Sequence, residues 1–431
     1  MAEHNELESE KQTLVQRHRG ALINGELIED ALAPSTIEVR RSNDEINAKY
    51  DRGEIRIVTE QARYPLGSIA DLLASGDYKL DPDYQRRHRW SVQQRSRLIE
   101  SFIMNVPVPP VFLYEWDYSM YEVMDGLQRL TAVRDFYSNA FPLSGLEYWI
   151  ELDGLRCEDL PTRIRAGIHR RYLSSIVLLK ETSHGDENPE LLKRFVFGRI
   201  NTGGVHLSPQ ELRNALYDGP MNELCKSLAR TPTLRRLWSI PEDVEELVEK
   251  SANAIVPEFN LFGEVVPPED PVDTIVPAAW RDMTDVELVL RFFANRQRMI
   301  AYRDNIRDYL DEYLRAANAY PTATLEELRG VFLETLGLAD SLFGDEAFRR
   351  PRGERWGNVP SKSIYDASMN VLSRLLPHAA ELVERKEAIA GGLMAFYEEN
   401  SKVFNLRGQT RNDLMTREVL LETYLASFIT T

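Results

Sequence analysis

The sequence predicts an α+β protein: a small mixed domain over about residues 54–205, then a mostly helical domain over about 206–431, behind a polar tail at 1–53. Two strand-like runs, Val111 to Trp116 and Met120 to Met124, flank the turn-forming Asp117, Tyr118 and Ser119 and predict a hairpin. The second run passes through Asp125 and Gly126 into a stretch with Leu130, Val133, Phe136 and Tyr137 at helical spacing. Beyond residue 205 helix-start signals dominate: Ser208 with Glu211, Thr284 with Glu287, and Thr324 with Glu327, each a hydroxyl followed three residues later by a carboxylate.

Taken in order, residues 1 to about 50 are polar and mixed in charge, and they predict a poorly packed tail with at most a short helix. Ile55 to Val58 reads as a strand, and Pro65 to Ser75 as a short helix ending near Gly76. Val92 to Met104 carries Leu98, Ile99 and Phe102 on one helical face, and Asn105, Pro107, Pro109 and Pro110 stop it. Residues 251–277 hold five prolines and predict an irregular connection. The run from Val286 to Tyr313 reads as one long amphipathic helix.

Bulk properties narrow the chemistry. A net charge of −16 over 431 residues rules out a surface that grips phosphates everywhere, so any nucleic-acid or nucleotide site must be a local basic island. The two cysteines, Cys157 and Cys225, are too few for a disulfide framework or a cysteine-rich zinc site, which fits a reducing cytoplasm. No apolar run is long enough to span a membrane, and the charged N-terminus has no secretory signal pattern. No Gly-Lys dipeptide occurs, so a P-loop is excluded. The seven histidines show no metalloprotease spacing.

Three segments could carry chemistry. In Asp125 to Arg129, a carboxylate ends a strand and a glycine opens a helix, whose free N–H groups and dipole favour an anion. There Gly126 would admit a phosphate to the backbone, Arg129 would offer a two-pronged guanidinium, Asp125 would hold Mg²⁺ or orient a water, and Gln128 would position that water. Residues 81–100 contain five arginines against Asp81, Asp83 and Glu100; Gln85, Arg86 and Arg89 lie in this island with Tyr84 and Trp90. Arg199, Asn201, Thr202 and Gly203, followed by Gly204, could fold into a nest of backbone N–H groups. Each segment alone also reads as an ordinary capped turn, solvated helix start or plain loop.

Their order is more specific than any one of them. Pro82, Tyr84-Gln85-Arg86 and Trp90 come first, then Leu98 to Ile103 with Asn105, Pro107, Pro109 and Pro110. Asp125-Gly126, Gln128-Arg129 and Leu130-Thr131-Ala132 follow, then Arg199 to Gly204, then Leu207-Ser208 and Gln210 to Arg213. This succession resembles the N-terminal domain of GmrSD-type modification-dependent restriction proteins, relatives in fold of ParB and sulfiredoxin. Met283 to Phe293 is similar to that family's helical half, so the resemblance spans about residues 54–300.

The resemblance implies a ParB/sulfiredoxin-like domain that binds and hydrolyses a nucleoside triphosphate (NTP) with Mg²⁺ in a DNA restriction or antiphage defence system. The family signature is D-G-Q-Q-R; here Asp125, Gly126, Gln128 and Arg129 match and Leu127 replaces an amide. On this reading Asp125, Gln128 and Arg129 are catalytic, and Asp125 is also the metal ligand. Gln85, Arg86, Arg89, Gly126, Arg199, Asn201, Thr202 and Gly203 bind nucleotide or phosphate. Relatives carry a His-Asn-His nuclease domain, fused or separate; none is evident here, so cutting would fall to a partner nuclease whose access the nucleotide state gates. DNA is the expected partner, a homo-oligomer is compatible with the reading, and a membrane is not expected. The competing reading is a non-hydrolysing DNA-binding or adaptor protein of the same fold. A nuclease using Asp125 and Glu122 as metal ligands is a third.

Overall fold

Five strands join in one mixed sheet, and the register of its central hairpin fixes where Asp125 and the helix after it begin. The computed structural model describes residues 15–27, 59–80, 90–179, 208–247, 277–301, 305–353, 355–404 and 410–429, with a few isolated positions and short strands besides. Contacts divide the chain into two units: Ile37–Leu216 with Asp243–Arg281, and Met1–Thr36 with Tyr217–Glu242 and Asp282–Thr431.

In the first unit the strands are β1 (Thr59–Pro65), β2 (Tyr78–Lys79), β3 (Val111–Asp117), β4 (Met120–Asp125) and β5 (Tyr172–Leu178). The sheet order is β1-β5-β3-β4-β2. β3 and β4 form the expected hairpin, turning through Ser119 at φ +57°. β3 runs parallel to β5 and antiparallel to β4, β2 runs parallel to β4, and β1 runs antiparallel to β5. One end of the sheet therefore collects the last residue of β4, Asp125, the first residues of β3 and β5, and the last residue of β1, Pro65.

Helices α1 (Ile69–Ala74), α2 (Val92–Met104), α3 (Leu127–Tyr137), α4 (Thr162–His169) and α5 (Pro209–Leu216) complete this unit. α2 opens with a capping box: the Ser91 side chain accepts from the Gln94 backbone N–H, and the Gln94 side chain accepts from the Ser91 backbone N–H. It closes at Asn105, a left-handed cap at φ +59°. Leu98, Ile99 and Phe102 of α2 and Leu130, Val133 and Phe136 of α3 share one core with Val111, Leu113, Val123 and Leu173. The capping box of Ser208 and Glu211 forms at α5 as expected. The expected strand at residues 55–58 lies outside the described residues; β1 starts at Thr59. Short strands Glu258–Phe259 and Val265–Val266 pair within the proline-rich connection.

Among the described residues the second unit is helical apart from one hairpin, giving the α+β class the sequence predicts. Its main helices are α6 (Pro220–Ala229), α7 (Pro232–Leu237), α8 (Thr284–Ala301), α9 (Ile306–Ala317), α10 (Thr322–Phe343), α11 (Lys362–Arg374), α12 (Lys386–Glu399) and α13 (Arg411–Ala426). The long helix expected over Val286 to Tyr313 is two helices, because Asn305 caps a new start by accepting from the Arg307 backbone N–H. Thr324 lies inside α10, whose N-cap is Pro321, so it does not cap the helix. α8 is buried on both its apolar and polar faces: Arg291, Asn295, Arg296 and Gln297 are as enclosed as Leu290 and Phe293. That burial is tolerable because the charges are matched. Arg291 forms a two-pronged pair with Asp366, and Arg296 does so with Glu26.

Glu26 also corrects the picture of the N-terminal tail. Residues 15–27 pack within the helical unit, with His18 and Glu26 fully buried, His18 Nε2 2.8 Å from Glu418, and Gln297 donating to the Glu26 carbonyl. A polar composition marked this stretch as loosely packed; its charged groups are instead partners for charges buried elsewhere.

Candidate functional site

The segment Asp125 to Arg129 sits where β4 ends and α3 begins. Asp125 pairs with Phe112 in the sheet, which fixes its backbone. Gly126 is the N-cap of α3 at φ +94°, a left-handed conformation that glycine adopts without strain. A Cβ there would lie 2.5 Å from Val111 Cγ1 and 2.9 Å from Arg129 Nη2. The missing side chain thus makes room for the first residue of β3 and for the guanidinium.

Arg129 folds back over this glycine. Its Nη2 donates to Asp125 Oδ2 at 2.7 Å and to the Pro110 carbonyl at 3.2 Å. Among the described residues its buried Nε has no partner and its Nη1 makes no hydrogen bond. Asp125 is 42% exposed, so one face of the pair meets solvent. Gln128 Oε1 accepts from the Trp90 backbone N–H at 3.2 Å, which ties the end of the basic segment to the first turn of α3. Leu127 points the other way, at 7% exposure within the core.

The site thus joins Asp125, Gly126, Gln128 and Arg129. Gln85, Arg86, Arg89, Arg199, Asn201, Thr202 and Gly203 lie outside the described residues. Of the five arginines in the 81–100 island, the two that are described are already paired: Arg95 with Asp135 at 3.6 Å, also lying over the Phe141 ring, and Arg97 with Glu147 at 3.3 Å. The described residues contain no group of three or more histidine, cysteine or acidic side chains that could hold a metal.

Other ionisable groups of this unit are poor acid–base candidates. Tyr78 stacks on Tyr121 with ring centroids 5.2 Å apart, and burial pushes both phenols up, so they stay neutral. Burial also raises the Cys157 thiol, removing it as a nucleophile. What the geometry offers is a guanidinium fixed at a helix start beside a half-exposed carboxylate.

A buried carboxylate that local patterning does not reveal holds the loop at residues 147–149. Glu100 is buried in α2 and accepts from three successive backbone N–H groups, Glu147 at 3.1 Å, Tyr148 at 2.8 Å and Trp149 at 2.9 Å. The signal available was an acidic residue between Ile99 and Phe102 on the apolar side of a helix.

Residues 69–217 match the family model described as GmrSD restriction endonuclease, N-terminal domain, which covers the whole candidate site. No curated protein matches the chain, and no solved structure does.

Proposed function

We propose that the chain is a component of a DNA restriction or antiphage defence system that binds a nucleoside triphosphate and hydrolyses it, and that the nucleotide state gates DNA engagement or a partner nuclease. The observation that carries this is the fixed Arg129 guanidinium, oriented by Asp125 and the Pro110 carbonyl at the start of α3, inside the segment that matches the restriction family. Phosphoryl transfer asks mainly for positioning and charge stabilisation, and a guanidinium whose Nη1 bonds no described residue can offer a phosphate oxygen both.

The residues suit magnesium delivered with the nucleotide. Asp125 uses only Oδ2 toward Arg129, and Mg²⁺ at phosphate sites characteristically takes one or two carboxylates, its remaining ligands being waters and phosphate oxygens. When bound, Mg²⁺ would neutralise charge on the transferred phosphoryl group. Asp125 would hold it, Arg129 would clamp phosphate, and Gln128 would turn its amide from Trp90 toward the attacking water. Arg86 and Arg89, just ahead of Trp90 in the chain, and Asn201 to Gly203 would close over the phosphates.

Leu127 does not argue against turnover. Its side chain faces the core, so the amide it replaces would occupy a packing position and not the cleft. A second reading, a non-hydrolysing DNA-binding or adaptor protein, draws on a different observation: Asp125 pairs with Arg129 and Gln128 binds Trp90, as in a purely structural cap.

Phosphate release from ATP, GTP, CTP and UTP with Mg²⁺, with and without DNA, separates the two. Turnover of at least one nucleotide that Asp125→Ala abolishes supports hydrolysis and names the base. Absence of turnover with all four, together with nucleotide-independent DNA binding, overturns it in favour of the binding protein.

A further inference from the structure

The α4 helix and the start of β5 form an arginine-rich surface that the candidate site does not use. From Leu160 to Lys180 the chain has no acidic residue, yet it carries Arg163, Arg165, Arg170 and Arg171, in a protein of net charge −16. Ile164 and Ile168 turn inward. Nearly opposite them, Arg163, Ala166 and Arg170 share the outward face, at spacings of three and four residues.

Arg163 and Arg170 are exposed and make no ion pair or hydrogen bond among the described residues. Two helical turns, about 10 Å, separate them, enough to address different phosphates. Between them the surface is low: Ala166 is exposed, and no atom lies within 4 Å of where a Gly167 Cβ would be. Arg165 and Arg171 are spent internally, on the carbonyls of Glu158 and Phe102, and brace the helix. His169 stacks on Tyr137 with centroids 5.4 Å apart and packs against Gly67. Next to Arg171, Tyr172 presents its ring at 56% exposure.

The sheet register puts this surface at the end where β4 delivers Asp125. Ser175 of β5 pairs with Val111, and Asp125 pairs with Phe112. Tyr172 therefore opens β5 at the same sheet end, two strand spacings, roughly 10 Å, to the side.

We propose that Arg163 and Arg170, with Tyr172 beside them, form the surface on which this protein grips the phosphate backbone of double-stranded DNA. The choice of DNA rests on the restriction reading above; the surface itself rests on the geometry. Two exposed cations that pair with no described residue match a polyanion, and this contact positions DNA without reading its sequence.

The test is binding of a labelled duplex of about 25 base pairs to the full chain across a salt series, for wild type, Arg163→Glu/Arg170→Glu, and a control reversal on the helical unit, Arg315→Glu. The expected result is at least a tenfold loss of affinity in the double variant. The slope of log affinity against log salt should fall by about two, one per phosphate contact. Arg315→Glu should bind within twofold of wild type, and all three should melt alike. Wild-type-like binding by the double variant, an equal loss in Arg315→Glu, no duplex binding by wild type, or preference for single-stranded RNA would each overturn it. Phosphate release measured on the same proteins without DNA separates the two readings. An arginine-dependent duplex binder with no turnover leaves this surface standing and removes hydrolysis; turnover without duplex binding does the reverse.

Discussion

Arg129 reaches back one helical turn to Asp125, Nη2 to Oδ2 at 2.7 Å, across a glycine that leaves space for it. Because the pair is partly open to solvent, it adds little to stability, of order 0.2–1 kcal/mol. Its value on the proposed function is orientation. Arg129→Ala should therefore lower nucleotide turnover by about 100-fold or more while costing only a few degrees of melting temperature. Arg129→Lys keeps the charge but not the planar fork, and should recover little of the rate. Turnover near wild type in Arg129→Ala removes the residue from the mechanism.

Gly126 offers a sharper structural test. At φ +94° an L-residue is strained by about 1–2 kcal/mol. The added Cβ would also meet Val111 Cγ1 at 2.5 Å, which the first residue of a central strand cannot relieve by rotating away. Gly126→Ala should lose roughly 2–4 kcal/mol in denaturant melts, combining strain with overpacking. A loss below 0.5 kcal/mol would show that α3 can start in another way.

These two residues also mark what was legible in the sequence. A strand-like run, Asp-Gly, then a helical apolar face is a local pattern, so the β4–α3 junction and the hairpin before it could be read directly. Glu100, Arg291 and Arg296 could not: each is a charged residue on a helix, and its burial depends on partners 47, 75 and 270 residues away. The same distance hid the packing of residues 15–27, where Glu26 serves Arg296, and the pairing of Arg95 with Asp135. Patterning reports which face of an element is apolar. It does not report which distant carboxylate or loop amide will neutralise a charge that sits there.

Glu100 leads to a prediction about loop order. Three backbone N–H groups converge on one buried carboxylate, so Glu100→Ala leaves three donors and no acceptor. Unpaired buried polar groups cost about 1–3 kcal/mol each, and relaxation toward solvent by the exposed Tyr148 should return part of that. A net loss of about 3–5 kcal/mol is expected, with faster amide exchange confined to residues 147–149. Glu100→Gln places an N–H₂ among donors and should fall between the two. Unchanged exchange at 147–149 in Glu100→Ala would mean the loop is held by other contacts.

In the helical unit, Glu418 ties stability to pH. Burial alone would raise its carboxyl, but the neighbouring His18 and Arg374 charges and the hydrogen bonds from His18 and Asn370 outweigh that and hold it below the ordinary carboxylate value. A group whose folded pKa is depressed contributes its stability fully above the unfolded value, near 4.5. As pH falls below that value the unfolded chain takes up the proton first. The contribution declines until the folded carboxyl also titrates. The helical unit should therefore lose stability as pH drops below about 4.5, and Glu418→Gln, less stable at pH 7, should show a flatter profile there. Parallel acid profiles for the two proteins, measured by urea melts from pH 3 to 7, would assign the acid sensitivity to other carboxylates.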